Sequence, residues 1–150
     1  MDIEKFNNCL EQWLNQQNIY NITVSEGFDF CYYYEINEIQ WGMIVDERVS
    51  VPLGQFFIKH GLKKQNLDMY DRITLSFLHE VGHVMTKHLF DVEQDNDFEC
   101  RSLDDHWNMP IEYAATKWAI DWINEHYQSY NDLYNLFKAM FIQILNGDDL

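Results

Sequence analysis

A chain of 150 residues with 47% hydrophobic and 16% aromatic residues and only two prolines holds enough apolar surface for one core, which excludes global disorder and predicts a single domain over 1–150. Ten Lys and Arg against 25 Asp and Glu give a formal net charge of -15, so recognition driven by nucleic-acid phosphates is excluded by repulsion, and the acidic surface suits a basic partner or solubility. Cys9, Cys31 and Cys100 form no CxxC pair, which fits reduced thiols rather than a disulfide framework.

The N-terminus, Met1-Asp2-Ile3-Glu4-Lys5, has no basic region leading into an apolar run, and no stretch approaches the ~20 apolar residues of a membrane span. No signal peptide, no membrane partner and a cytoplasmic location are therefore expected. Ile3, Phe6, Leu10, Trp13 and Leu14 fall on one stripe, so residues 2–17 read as an amphipathic helix. Residues 28–34 and 39–45 are rich in aromatic and β-branched types and read as two strands joined by a turn near 35–38. Val49–Leu53 reads as a short third strand that Pro52 confines to an edge. Lys63-Lys64 reads as a solvated turn.

A long helix is predicted over roughly 68–89, with Asp68 as N-cap and Asp71 near the positive end of the helix dipole. Its apolar residues spread around most of the circumference, as in a central, buried helix. Seven of the fifteen residues from 91 to 105 are acidic, and the segment reads as a solvated loop. Pro110 suits a first helical position; a helix follows over 110–126, and Ser129 is the predicted cap of a last helix ending near Gly147. These elements predict an α+β fold, compact and mostly helical, with a small two- to three-stranded sheet.

The central helix carries His79-Glu80-Val81-Gly82-His83, an H-E-x-x-H. Positions i and i+4 share a helix face, so both imidazoles can reach one metal ion, with zinc the usual choice. Glu80 flanks that face, where a general base would meet water rather than the metal. Gly82 costs about 1 kcal/mol in a helix interior; its missing side chain leaves room for close packing or for substrate. A third ligand has to come from elsewhere. His88 is about 500° round the wheel from His83, His106 lies in the acidic segment, and position 89 is leucine where a metzincin needs histidine. Glu112, in the first turn of the 110–126 helix, is the remaining common solution.

Leu78-His79-Glu80-Val81-Gly82-His83 followed by Glu112-Tyr113-Ala114-Ala115-Thr116-Lys117-Trp118-Ala119 resembles the ImmA/IrrE-type zinc metallopeptidases of phages, mobile elements and bacteria. Their pattern is H-E-[LIV]-G-H with a downstream E-x-E-A-[ND]-x-F-A. Glu112, Ala115, Trp118 and Ala119 match; Ala114 and Thr116 depart from the second glutamate and the Asn/Asp. That Asn/Asp supports a ligand histidine, so a threonine hydroxyl or another carboxylate such as Asp121 has to supply the hydrogen bond.

The resemblance implies a zincin-like core with the sheet beside the H-E-x-x-H helix. It implies zinc held by His79, His83 and Glu112, with Glu80 as general base. The implied substrate is a protein, a basic helix-turn-helix repressor whose cleavage switches on a mobile element. Tyr113, His88 and His106 are the candidates for stabilising the oxyanion. Two other readings are open from the sequence. One is a non-catalytic acidic interaction protein, an antirepressor or nucleic-acid mimic with a vestigial metal site. The other is a hydrolase of a non-peptide amide.

Overall fold

Asp2 opens the first helix by accepting a hydrogen bond from the Lys5 backbone N–H at 3.3 Å in the computed structural model, which describes residues 2–42, 46–90 and 102–147. This helix, α1 (Ile3–Gln16), buries Phe6, Leu10, Trp13 and Leu14, the predicted stripe. It stops where Asn18 takes a left-handed φ of 61°, which lets the Ile19 N–H turn back to the Leu14 carbonyl at 2.9 Å. Asparagine is among the few non-glycine residues that tolerate this conformation.

Three strands follow: β1 (Thr23–Glu26), β2 (Cys31–Tyr33) and β3 (Glu38–Trp41). β3 lies at the centre, parallel to β1 from Thr23↔Glu38 to Glu26↔Trp41 and antiparallel to β2 from Cys31↔Gln40 to Tyr33↔Glu38. The two expected strands are present in shortened form, and residues 43–45 lie outside the described residues. β1 was not expected, because its short run offers only Val24 to the core. It is held from outside: the Glu11 carboxylate of α1 accepts the Val24 N–H at 2.8 Å. Trp41 ties the sheet to α1 through its indole N–H, 2.6 Å from Asn7 Oδ1, and an edge-on contact with Phe6.

The expected strand at Val49–Leu53 is instead part of a helix, α2 (Glu47–Lys59). Asp46 caps it, accepting the Arg48 N–H at 3.0 Å, and burial of Leu53, Phe56 and Phe57 overrides the β-branched valines. Pro52 is the sixth helical residue and costs the helix a hydrogen bond, about 3 kcal/mol. Burying two phenylalanines and a leucine, at roughly 1.5–3 kcal/mol each, offsets that.

α3 (Met69–Thr86) begins with a capping box: Asp68 Oδ1 accepts the Asp71 N–H at 2.8 Å and Asp71 Oδ2 accepts the Asp68 N–H at 3.0 Å. A 3-10 turn (Lys87–Leu89) finishes the predicted 68–89 span. Lys64 is not a solvated turn residue. Its ammonium lies 2.8 Å from buried Asp71 Oδ1 and over the Tyr134 ring, and Tyr130 donates its hydroxyl to the same carboxylate.

Ser102 caps a short helix, α4 (Leu103–Asn108), accepting the Asp105 N–H at 3.1 Å. The C-terminal part of the expected acidic loop is therefore helical, and 91–101 lie outside the described residues. α5 (Pro110–Glu125) starts with Pro110 at its N-terminus as predicted. α6 (Tyr127–Leu145) starts two residues before the expected cap; the Tyr130 N–H already bonds the His126 carbonyl at 3.0 Å, so Ser129 lies in the first turn.

The fold is α+β and mostly helical. α3 runs through its centre, touching α2, α5, α6 and the β2 and β3 strands. Phe77, Leu78 and Val81 are fully buried there. The sheet thus stands beside the H-E-x-x-H helix. No described helix is long and apolar enough to cross a membrane.

Candidate metal centre

The position of the site is set by how closely α3 and α5 cross. A Cβ on Gly82 would lie 2.2 Å from the Ala115 carbonyl oxygen and 2.9 Å from its Cα. The sequence left Gly82 a choice between packing and substrate room, and the structure uses it for packing. That contact brings the first turn of α5 against the histidine face of α3.

Glu112 Oε2 lies 2.9 Å from His79 Nε2 and 2.8 Å from His83 Nε2, and all three residues are buried. Burial pushes the Glu112 carboxyl up, but the hydrogen bonds from both imidazoles outweigh it and hold it well below the usual carboxylate range. Each ring is fixed from behind. Thr116, one turn along α5, places its hydroxyl 2.9 Å from His79 Nδ1, and the Tyr34 hydroxyl stands 3.3 Å from His83 Nδ1. Thr116 thus occupies the supporting position that the expected motif gives to Asn or Asp. Asp121 does not substitute; it pairs with Lys117 at 2.9 Å on the surface.

Glu80 is half-buried beside the two histidines. Burial pushes its carboxyl up, against the pull of His79 and His83 and of a backbone hydrogen bond from Tyr32. Donor atoms of His79, Glu80 and His83 lie within 4.8 Å of one another. His79, Glu80 and His83 form a donor group that a divalent metal fits, and the Glu112 carboxylate meets the same two imidazoles.

The three oxyanion candidates separate. His106, on α4, brings Nε2 to 3.5 Å from Glu112 Oε1. His88 is exposed on the 3-10 turn. Tyr113 stands edge-on to His60 and Phe56, with the α2 aromatics. A cleft of about 410 Å³ opens beside the centre, with His79, Glu80, Glu112, His106 and Trp107 in its wall.

Tyr34 belongs to the 28–34 stretch that reads as a strand, and nothing in one sequence says which of Tyr32, Tyr33 and Tyr34 meets a histidine 49 positions away. Comparison with protein-family models, curated proteins and solved structures returns no match.

The Thr116 contact makes a direct prediction. Thr116→Val keeps the shape and removes the hydroxyl, leaving His79 Nδ1 without its partner. Affinity for an added divalent metal such as zinc, measured by competition with a chelating dye, is expected to fall roughly 10–100-fold. An unchanged affinity would show that the hydroxyl does not orient the ring.

Proposed function

We propose that the protein is a zinc-dependent peptidase that cleaves a regulatory protein, a basic helix-turn-helix repressor in a phage or mobile-element setting, on a zincin-like core. The observation that supports it most is the convergence of the His79, His83 and Glu112 donor atoms beside Glu80, a carboxylate placed to act as general base and raised by burial above its ordinary value. A structural metal site has no need of that fourth, basic group.

In this reading His79, His83 and Glu112 hold zinc. When bound, zinc supplies Lewis acidity toward water and a peptide carbonyl. Thr116 and Tyr34 keep the two rings in register. The Glu80 carboxylate takes a proton from the attacking water and returns it to the departing amide nitrogen. His106 is the nearest side-chain donor for charge developing on the carbonyl oxygen. β2 is an edge strand, and an extended substrate adding along it would run past Glu80.

The test combines metal content with cleavage. Protein purified from zinc-replete medium is expected to carry about one zinc per chain. His79→Ala should lose it and Glu112→Gln should bind it more weakly. Helix-turn-helix regulators encoded near this chain's gene are then incubated with the loaded protein, and fragments are mapped by mass spectrometry. Failure to take up zinc on titration would overturn the reading. Full zinc occupancy with binding of the regulator but no cleavage would favour the acidic interaction protein instead.

A further inference from the structure

Arg72 lies on α3 seven residues before His79 and lines the same cleft. Its side chain is only 14% exposed, and its one ion pair among the described residues is a 3.8 Å approach to Glu47, which is 79% exposed. That distance is too long for a hydrogen bond. Arg72 Nε is buried and has no partner among the described residues. A guanidinium carries five N–H donors, and little among the described residues answers them.

A second unanswered group faces the same space. Ser50, on the first turns of α2 three residues after Glu47, lines the cleft with its hydroxyl buried and unpartnered among the described residues. The residue is 8% exposed. The other buried or half-buried polar groups in that wall are occupied, and Asp29 and Asp46 lie toward solvent. Ser76 donates to the Arg72 carbonyl at 2.8 Å. Asp46 is held by Arg48 at 3.1 and 3.2 Å. Glu80 and Glu112 belong to the metal centre. Arg72 is the only Lys or Arg among the described residues lining this cleft.

We propose that Arg72 and Ser50 form a carboxylate-binding subsite of the cleft, which selects peptides bearing an acidic group about three residues from the bond cut at the metal centre. The proposal rests on the peptidase reading for the word "cut" but not for the binding. A planar guanidinium takes a carboxylate through two parallel N–H donors, and a serine hydroxyl can donate to the same oxygens. The spacing follows from the helix: seven residues at ~1.5 Å put Arg72 about 10 Å from His79 along the axis. An extended peptide at ~3.3 Å per residue covers that in about three residues. The carboxylate has two sources, an Asp or Glu side chain or the end of a peptide chain.

The test uses quenched fluorogenic nonapeptides of alanine and serine. A single Glu or Gln is moved through every position, and each peptide is made with a free or an amidated C-terminus. Cleavage is measured on the zinc-loaded protein, and binding of the same peptides to Glu80→Gln protein is read by fluorescence anisotropy. At one position Glu is expected to exceed Gln by roughly 10-fold or more in both readouts. The ratio should fall toward one in Arg72→Gln, and by a few-fold in Arg72→Lys, which keeps the charge and loses the fork, and in Ser50→Ala. Circular dichroism and zinc content check that each variant is folded.

A preference that follows the free terminus instead of Glu, and is lost in Arg72→Gln, supports the subsite with the chain end as its ligand. Cleavage without any preference for Glu or for a free terminus overturns the subsite and leaves the peptidase reading standing. Arg72-dependent binding of the acidic peptides without cleavage keeps the subsite and removes the peptidase reading.

Discussion

Gly82→Ala is expected to lose about 1–2 kcal/mol of stability net, and with it much of the affinity for zinc. Helix propensity alone predicts the opposite, since alanine is better than glycine in a helix interior by about 1 kcal/mol. The added methyl decides the sign, because it would sit 2.2 Å from the Ala115 carbonyl oxygen. Backbone cannot turn aside as a flexible side chain can, so α3 and α5 must separate by on the order of 1 Å. Overpacking of this kind typically costs 1–3 kcal/mol, sometimes more. Separation also draws Glu112 away from the two imidazoles, which it now meets at 2.9 and 2.8 Å. Urea unfolding and zinc competition check the two effects together. A variant as stable as the parent, with full zinc affinity, would mean that the crossing is not what positions Glu112.

Glu80→Gln is expected to leave zinc in place and remove roughly two or more orders of magnitude of turnover. Glutamine keeps the size and the hydrogen-bonding reach and loses the basicity. Stability gives an independent check. Burial raises the Glu80 carboxyl in the folded chain; a carboxylate whose folded pKa lies above its unfolded value costs stability as pH rises through that interval. Removing its charge at neutral pH should therefore leave the melting temperature of the metal-free protein unchanged or higher. A group that lowers stability yet is needed for turnover is acting in the chemistry. If regulator cleavage by Glu80→Gln equals that of the wild type, Glu80 is not the base.

α1, α3, α5 and α6 were legible because their signals are local. The Asp68 cap, Pro110 at a helix start and the stripe Phe6, Leu10, Trp13, Leu14 need only the chain itself. Convergence of His79 and His83 is equally local, a consequence of i, i+4 spacing on a helix. Val49–Leu53 failed because β-branched residues beside a proline look like an edge strand, while the burial of Phe56 and Phe57 that makes it helical lies further along. β1 was missed because a strand of four residues is held by a Glu11 side chain from another element. What lies behind each ring was beyond reach for the same reason. The contact of Thr116 with His79 spans 37 positions and that of Tyr34 with His83 spans 49.

The separation of the donors along the chain would make a metal held there a cross-link as well as a site. His83 and Glu112 are 29 positions apart and His79 and Glu112 are 33 apart. An ion shared among them would join these distant points only in the folded chain, and by binding that state alone it would stabilise the fold by about 3–4 kcal/mol once the free ion exceeds its Kd by a few hundred-fold. That is comparable with much of the net stability of a small domain. The chemistry and the durability of this fold would then both draw on the same ion.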